Sequence, residues 1–153
     1  MAVLSDLELT QRLLLAALLG GLLGLEREWR NKDAGLRTNI LITIGSALFT
    51  LMSIELTDGA KGDPSRVAAQ IVTGIGFLGA GAIMRTNGGV QGLTTAATIW
   101  VNAAIGVAVG GGEYHIAVLA TGITLIVLLV LYPIERYIDY RHSLRPKPRS
   151  TDA

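Results

Sequence analysis

The chain has 153 residues, half of them hydrophobic, with a formal net charge of +1 and no cysteine. Its mean hydropathy is +0.49, high for a soluble domain of this length, and the missing cysteines exclude a disulfide framework and any thiolate metal site. No HExxH, CxxC, Walker or GxSxG spacing occurs, and His115 and His142 lie far apart in sequence. No enzymatic activity, catalytic residue, cofactor, metal or nucleic-acid partner is therefore expected.

Charge-free stretches mark the elements, because a bilayer core needs about 20 mostly apolar residues per helix, with a range of about 17 to 25. The first stretch is 9–25, with Arg12 near its outer end and able to snorkel. The preceding MAVLSDLE is acidic and LEREWR stands where a small-residue cleavage site would be, so the segment reads as a retained helix and not a signal peptide. Ala16, Gly20 and Gly24 recur at steps of four. Such a GxxxG face serves either an intramolecular seam or a homodimer, and both readings stay open. In the following loop, LEREWRNKDAGLRTN, Glu26 and Arg30 form an i,i+4 pair if the helix continues past the bilayer.

The second stretch is 38–54. GDPSR then opens the third helix, with Asp63 suited to the N-cap and Pro64 to the first helical position. The third stretch, 67–84, contains GIGFLG, whose glycine spacing matches a dinucleotide-binding turn. Its context does not match. Eighteen uncharged residues separate Arg66 from Arg85, and no acidic residue follows until Glu113, whereas the fold that uses this motif needs a preceding strand and an acid about 20 residues on. The glycines read as helix-packing positions instead. Ala69, Thr73, Gly76 and Ala80 form one small-residue stripe, and Arg66, Gln70, Gly74, Gly81 and Arg85 form a second, polar at both ends. Gly79 lies close to both. Packing alone, or an unwound segment lining a site, would account for the pattern.

The fourth stretch, about 92–109, has the most polar interior. Thr94, Thr98 and Asn102 fall on one face, with Gln91 and Thr95 close by. These groups bond to a neighbouring helix, or face the Gln70 stripe across a polar intramembrane cleft. The fifth stretch is 114–134. Tyr132, Tyr137 and Tyr140 near its end, and Trp29 after the first helix, fit an interfacial aromatic belt. No Asp, Glu, Lys or Arg lies mid-span, which disfavours a proton-driven carrier or a divalent-cation pore.

These elements predict an all-α polytopic membrane bundle of five transmembrane helices over 1–140, followed by a basic disordered cytoplasmic tail over 141–153 that is attracted to anionic lipid. Of the thirteen Lys and Arg residues, three (Arg12, Lys61, Arg66) would fall on one side and ten on the other. The N-terminus is then outside and the C-terminus cytoplasmic.

GLLGLEREWRNKDAGLRTN, DPSRVAAQIVTGIGFLGAGAIM and GLTTAATIWVNAAIGVAVGGG, in that order over about 20–112, resemble the MgtC/SapB family of bacterial inner-membrane proteins. The resemblance implies a multi-pass inner-membrane protein of magnesium, acid or intracellular stress adaptation. It also implies a regulator or adaptor of other membrane machinery, with a small transporter or channel for Mg2+ or another small ion as the alternative. The family-motif positions it carries over are Glu26, Arg27, Glu28, Arg37, Thr38, Asp63, Arg66, Gln70, Thr95 and Trp100. Virulence-associated members have Asn where Thr94 stands, Cys where Val101 stands, and a soluble C-terminal domain not seen in these residues, so their particular role is not expected here. The partners expected are the lipid bilayer, a second copy of the chain, with a homodimer preferred, and another membrane protein complex.

Overall fold

The computed structural model describes residues 4–57, 63, 65–86 and 89–143, with the side chains of 135 and 138–143 excepted. Lys61, Pro64 and the tail from 144 onward lie outside the described residues. In chain order the elements are α1 (Asp6–Trp29), α2 (Leu36–Thr57), α3 (Ser65–Gly81), β1 (Met84–Thr86), β2 (Gly89–Gln91), α4 (Leu93–Gly110) and α5 (Tyr114–Ser143). Each expected apolar stretch contains a helix. α5 runs to Ser143, beyond residue 141 where the sequence places the start of the tail.

Among the described residues, four segments are long and apolar enough to cross a membrane: α1, α2, α4 and the 114–134 part of α5. α3 is not among them. Its 17 residues span roughly 25 Å at 1.5 Å per residue, short of a hydrocarbon core of about 30 Å. The expected third stretch ran to residue 84, but the helix stops at Gly81 and the chain turns into an antiparallel hairpin, pairing Met84 with Gln91 and Arg85 with Val90. Gly92 fixes that turn. It has φ +86°, and a Cβ there would collide with the Ala82 carbonyl, so the hairpin's exit folds back on the end of α3 through a position only glycine fills.

α2 is the centre of the bundle, packed between α1 and α4. Two glycine pairs at i,i+4 let it approach. A Cβ at Gly24 would lie 2.8 Å from the Leu36 Cα, and one at Gly110 would lie 2.6 Å from the Ala47 carbonyl oxygen. Gly20 and Gly106 abut Thr43 in the same way. The face that α2 presents is polar but small: Asn39, Thr43, Ser46, Thr50 and Ser53, all buried, at steps of four, three, four and three. Hydroxyls suit such a seam because each can donate to the carbonyl one turn back, as Thr43 does to Asn39 (2.7 Å) and Thr50 to Ser46 (2.8 Å).

The apolar core lies on the other side of this seam. It gathers Ala16, Leu19 and Leu23 of α1, Ala47 of α2, Ile105 and Val109 of α4, and Ala117 and Leu128 of α5. A smaller cluster of Ala34, Ile42, Ile99 and Ala103 receives Ile71 and Ile75 of α3. The outer faces are apolar: Leu14, Leu18, Phe49, Phe77, Ile123 and Ile126 are all exposed. In water such a surface would aggregate; against acyl chains it is the solvated state.

Candidate functional site

The intramembrane polar residues converge on α2. Asn102, fully buried, donates through Nδ2 to Asn39 Oδ1 (2.8 Å) and to the Thr98 carbonyl (3.1 Å). Its Oδ1 accepts from Thr43 Oγ1 (3.2 Å). Asn39 Nδ2 donates to the Ala34 and Gly35 carbonyls, each at 2.7 Å. Both amide N–H bonds of each asparagine and the Asn39 amide oxygen are therefore engaged, while the single Thr43 O–H is shared between the Asn39 carbonyl and Asn102 Oδ1, so the pair is a hydrogen-bonded staple between α2 and α4.

The five polar residues grouped from the sequence part company around this staple. Asn102 and Thr98 are buried, and the Thr98 hydroxyl donates to the Thr94 carbonyl (2.8 Å). The Thr94 side chain is exposed. Thr95 and Gln70 line a groove of about 870 Å³ between α2 and α3, which Asn102 does not line. Helical spacing groups Thr94, Thr98 and Asn102, but Thr98 and Asn102 are buried and Thr94 is exposed, and which neighbour the buried pair meets is a tertiary fact.

The charged family-motif positions hold the helix ends together. Arg27 is only 3% exposed and donates to Thr95 Oγ1 (3.2 Å). Glu26, also buried, pairs with Arg27 (3.7 Å) and with Arg30, and the Arg30 guanidinium stacks 3.8 Å above the Tyr132 ring. Glu28 Oε2 accepts from the Leu36 N–H (2.9 Å) and so caps α2 from outside its own sequence turn. Arg37 and Arg66 are exposed, Thr38 is exposed on the groove wall, and Trp100 is half exposed. At the other end Arg12 donates to the Gly110 carbonyl (2.7 Å) and pairs with Glu8 (2.6 Å). Arg12 is thus a cation at the C-terminus of α4, engaged within the bundle where snorkelling was expected.

Asp63 caps α3 through Ser65 N–H to its Oδ1 (2.9 Å). The Ser65 side chain and then its backbone N–H hold that carboxyl below its usual range, against a smaller opposing effect of burial. Among the described residues no group of three or more His, Asp or Glu could hold a metal ion.

The helix-packing positions divide in two. Gly20 and Gly24 touch α2, and a Cβ at Gly79 would lie in ordinary contact with the Ala96 carbonyl oxygen, 3.7 Å away. Gly74, Gly76 and Gly81 have no described atom beyond their own stretch of helix within 4 Å of a Cβ position, and Thr73 and Ala80 are exposed. Sequence reasoning passed over Asn39, Thr43 and the Gly106–Gly110 pair. The four-three-four-three recurrence of small polar residues in α2 is the signal that could have found them.

A family model described as the MgtC family matches residues 13–137. The chain belongs to the MgtC family. "Protein MgtC" of Salmonella typhimurium (strain 14028s / SGSC 2262) is 52% identical over 119 residues, covering 78% of this chain and 50% of that protein. "Putative magnesium transporter YhiD" of Escherichia coli (strain K12) is 49% identical over 129 residues, 80% of this chain and 60% of that one. "Uncharacterized protein slr0014" of Synechocystis sp. is 45% identical over 130 residues, 85% and 55% respectively. The chain spans about half to three fifths of the length of these relatives. No solved structure matches. Family and apolar helices together make this a membrane protein of the MgtC family.

Proposed function

We propose that this MgtC-family protein is a non-enzymatic regulator or adaptor of other membrane machinery in magnesium or acid stress. It sits in the bacterial inner membrane as a homodimer, with α3 as a fifth crossing element, the N-terminus outside and the C-terminus cytoplasmic. The observation that carries the reading is the closed hydrogen-bonding of Asn39, Thr43 and Asn102. A conducting path needs polar groups free to replace a cation's hydration shell, and here the most buried ones are committed to one another.

The alternative is a small transporter for Mg2+ or another ion, as the name of the Escherichia coli relative suggests. What favours it is the open groove carrying Gln70 and Thr95. Proteoliposomes containing the purified protein, read with magnesium and proton indicators, separate the two. The regulator reading expects no flux above empty liposomes and recovery of a partner complex from native membranes at low magnesium. Flux that Gln70→Leu abolishes in well-folded protein would overturn it. The topology is tested by labelling single introduced cysteines, which needs no prior removal because the chain has none.

A further inference from the structure

We propose that the groove between α2 and α3 binds one phospholipid whose headgroup carries a primary ammonium. This goes beyond the regulator reading and does not depend on it. The groove holds about 870 Å³, within the range of ligand sites, roughly 300 to 1,000 Å³. Its walls are Leu41, Phe49, Ile71, Ile75 and Ile99. It runs from Val67 to Gly81 along α3, roughly 20 Å at 1.5 Å per residue, enough for the acyl chain of one leaflet, about half of a 30 Å core.

Three glycines of the wall, Gly45, Gly74 and Gly81, have no described atom beyond their own stretch of helix within 4 Å of a Cβ position. A helical glycine weakens its helix relative to alanine, and no packing contact among the described residues requires it at these places. The groove stays open to something from outside, and the exposed Val72 and Phe77 put α3 against the bilayer.

The mouth says what kind of molecule enters. Asp33, Thr38 and Thr95 stand at the end nearest the α1–α2 turn. Arg27 lies behind Thr95, 97% buried, and its Nε–H has no hydrogen-bond partner. Asp33 is exposed and makes no hydrogen bond or ion pair with the described residues. Among the described residues that line the groove, Asp33 alone carries a charge, beside the Thr38 and Thr95 hydroxyls. An apolar helix supplies nothing for that carboxylate. A zwitterionic phospholipid supplies a phosphate for Thr38 and Thr95, an ammonium with N–H donors for Asp33, and the tail for the walls.

The test uses the full chain in nanodiscs of phosphatidylethanolamine, phosphatidylcholine and phosphatidylglycerol in equal parts, with retained lipid read by native mass spectrometry. One phosphatidylethanolamine per chain is expected to stay bound in preference to the other two. Asp33→Asn should erase that preference, a change of about fivefold for one exposed ion pair, with the melting temperature unmoved. Gly74→Trp should cut total retention about tenfold by filling the groove. Gly45→Leu gives the same reading if the tryptophan variant does not fold. Ile123→Trp, on the outer face of α5, should change nothing. Retention without headgroup preference, indifference to groove filling, or an equal response to Ile123→Trp would each overturn the proposal. So would a second copy of the chain retained in place of lipid and released by Gly74→Trp, which would put a helix in the groove.

Discussion

α1 and α3 both carry glycines at helix-packing spacing, yet the two helices use them differently. In α1, Gly20 and Gly24 meet the backbone and hydroxyls of α2 so closely that no Cβ fits. In α3, Gly74, Gly76 and Gly81 meet no atom of another element among the described residues. The α1 glycines are required by an intramolecular seam; those of α3 face the bilayer or the groove. Glycine spacing thus marks where a close approach is permitted, and only the partner decides whether it is used.

The strongest way to break this comparison is steric. Gly110→Leu should collapse the α2–α4 seam, because the Ala47 carbonyl and Thr50 side chain occupy its space, and detergent-purified protein should aggregate on size exclusion. Gly76→Leu should elute as wild type. Equal outcomes would remove the distinction. Next in size is Arg27→Met, which leaves buried Glu26 with one cation fewer; breaking such a pair costs about 3 to 5 kcal/mol, read as a lowered unfolding midpoint.

Asn102→Leu leaves the Asn39 amide oxygen and the Thr43 hydroxyl without their interhelical partner, a loss of about 1 to 3 kcal/mol. Asn39→Leu combined with Asn102→Leu should cost less than the two singly measured losses together, since each single change strands the other's partner. Simple additivity would show that the staple is not one unit. Gly76→Ala is smaller and of opposite sign: with no neighbour to clash, it should stabilise α3 by about 0.5 to 1 kcal/mol. Destabilisation that scales with dilution would instead place a second chain on that face.

The smallest effect concerns the α3 cap. The Asp63 carboxyl titrates below its ordinary range in the folded protein because Ser65 bonds to its charged form. A depressed folded pKa means that its contribution is in place at neutral pH and disappears as pH falls through that pKa. Hydrogen exchange at the start of α3 should therefore quicken on acidification, and Asp63→Asn should flatten the dependence.

The five helices were legible because charge-free length and capping residues are local properties. Asp63 before Ser65 announces a helix start without reference to anything distant. The hairpin after α3 was not legible. Its strands are three residues each, too short for an alternating pattern, and its exit depends on Ala82 and Gly92 meeting across ten positions. The role of Glu28 was hidden for a similar reason: its partner is the Leu36 N–H, in another helix.

Local patterns along the chain are enough to tell a membrane protein built from apolar helices, where most of those helices lie, and the resemblance to the MgtC/SapB family. Hydropathy and motif spacing are carried by neighbouring residues. Tertiary structure decided that Asn102 meets Asn39 and Thr43 and not Gln70, that Arg27 is buried behind Thr95, and that α3 stands off α2 to leave a groove. Those outcomes depend on which faces of separate helices meet, and a polar or small face is equally consistent with several neighbours until packing selects one.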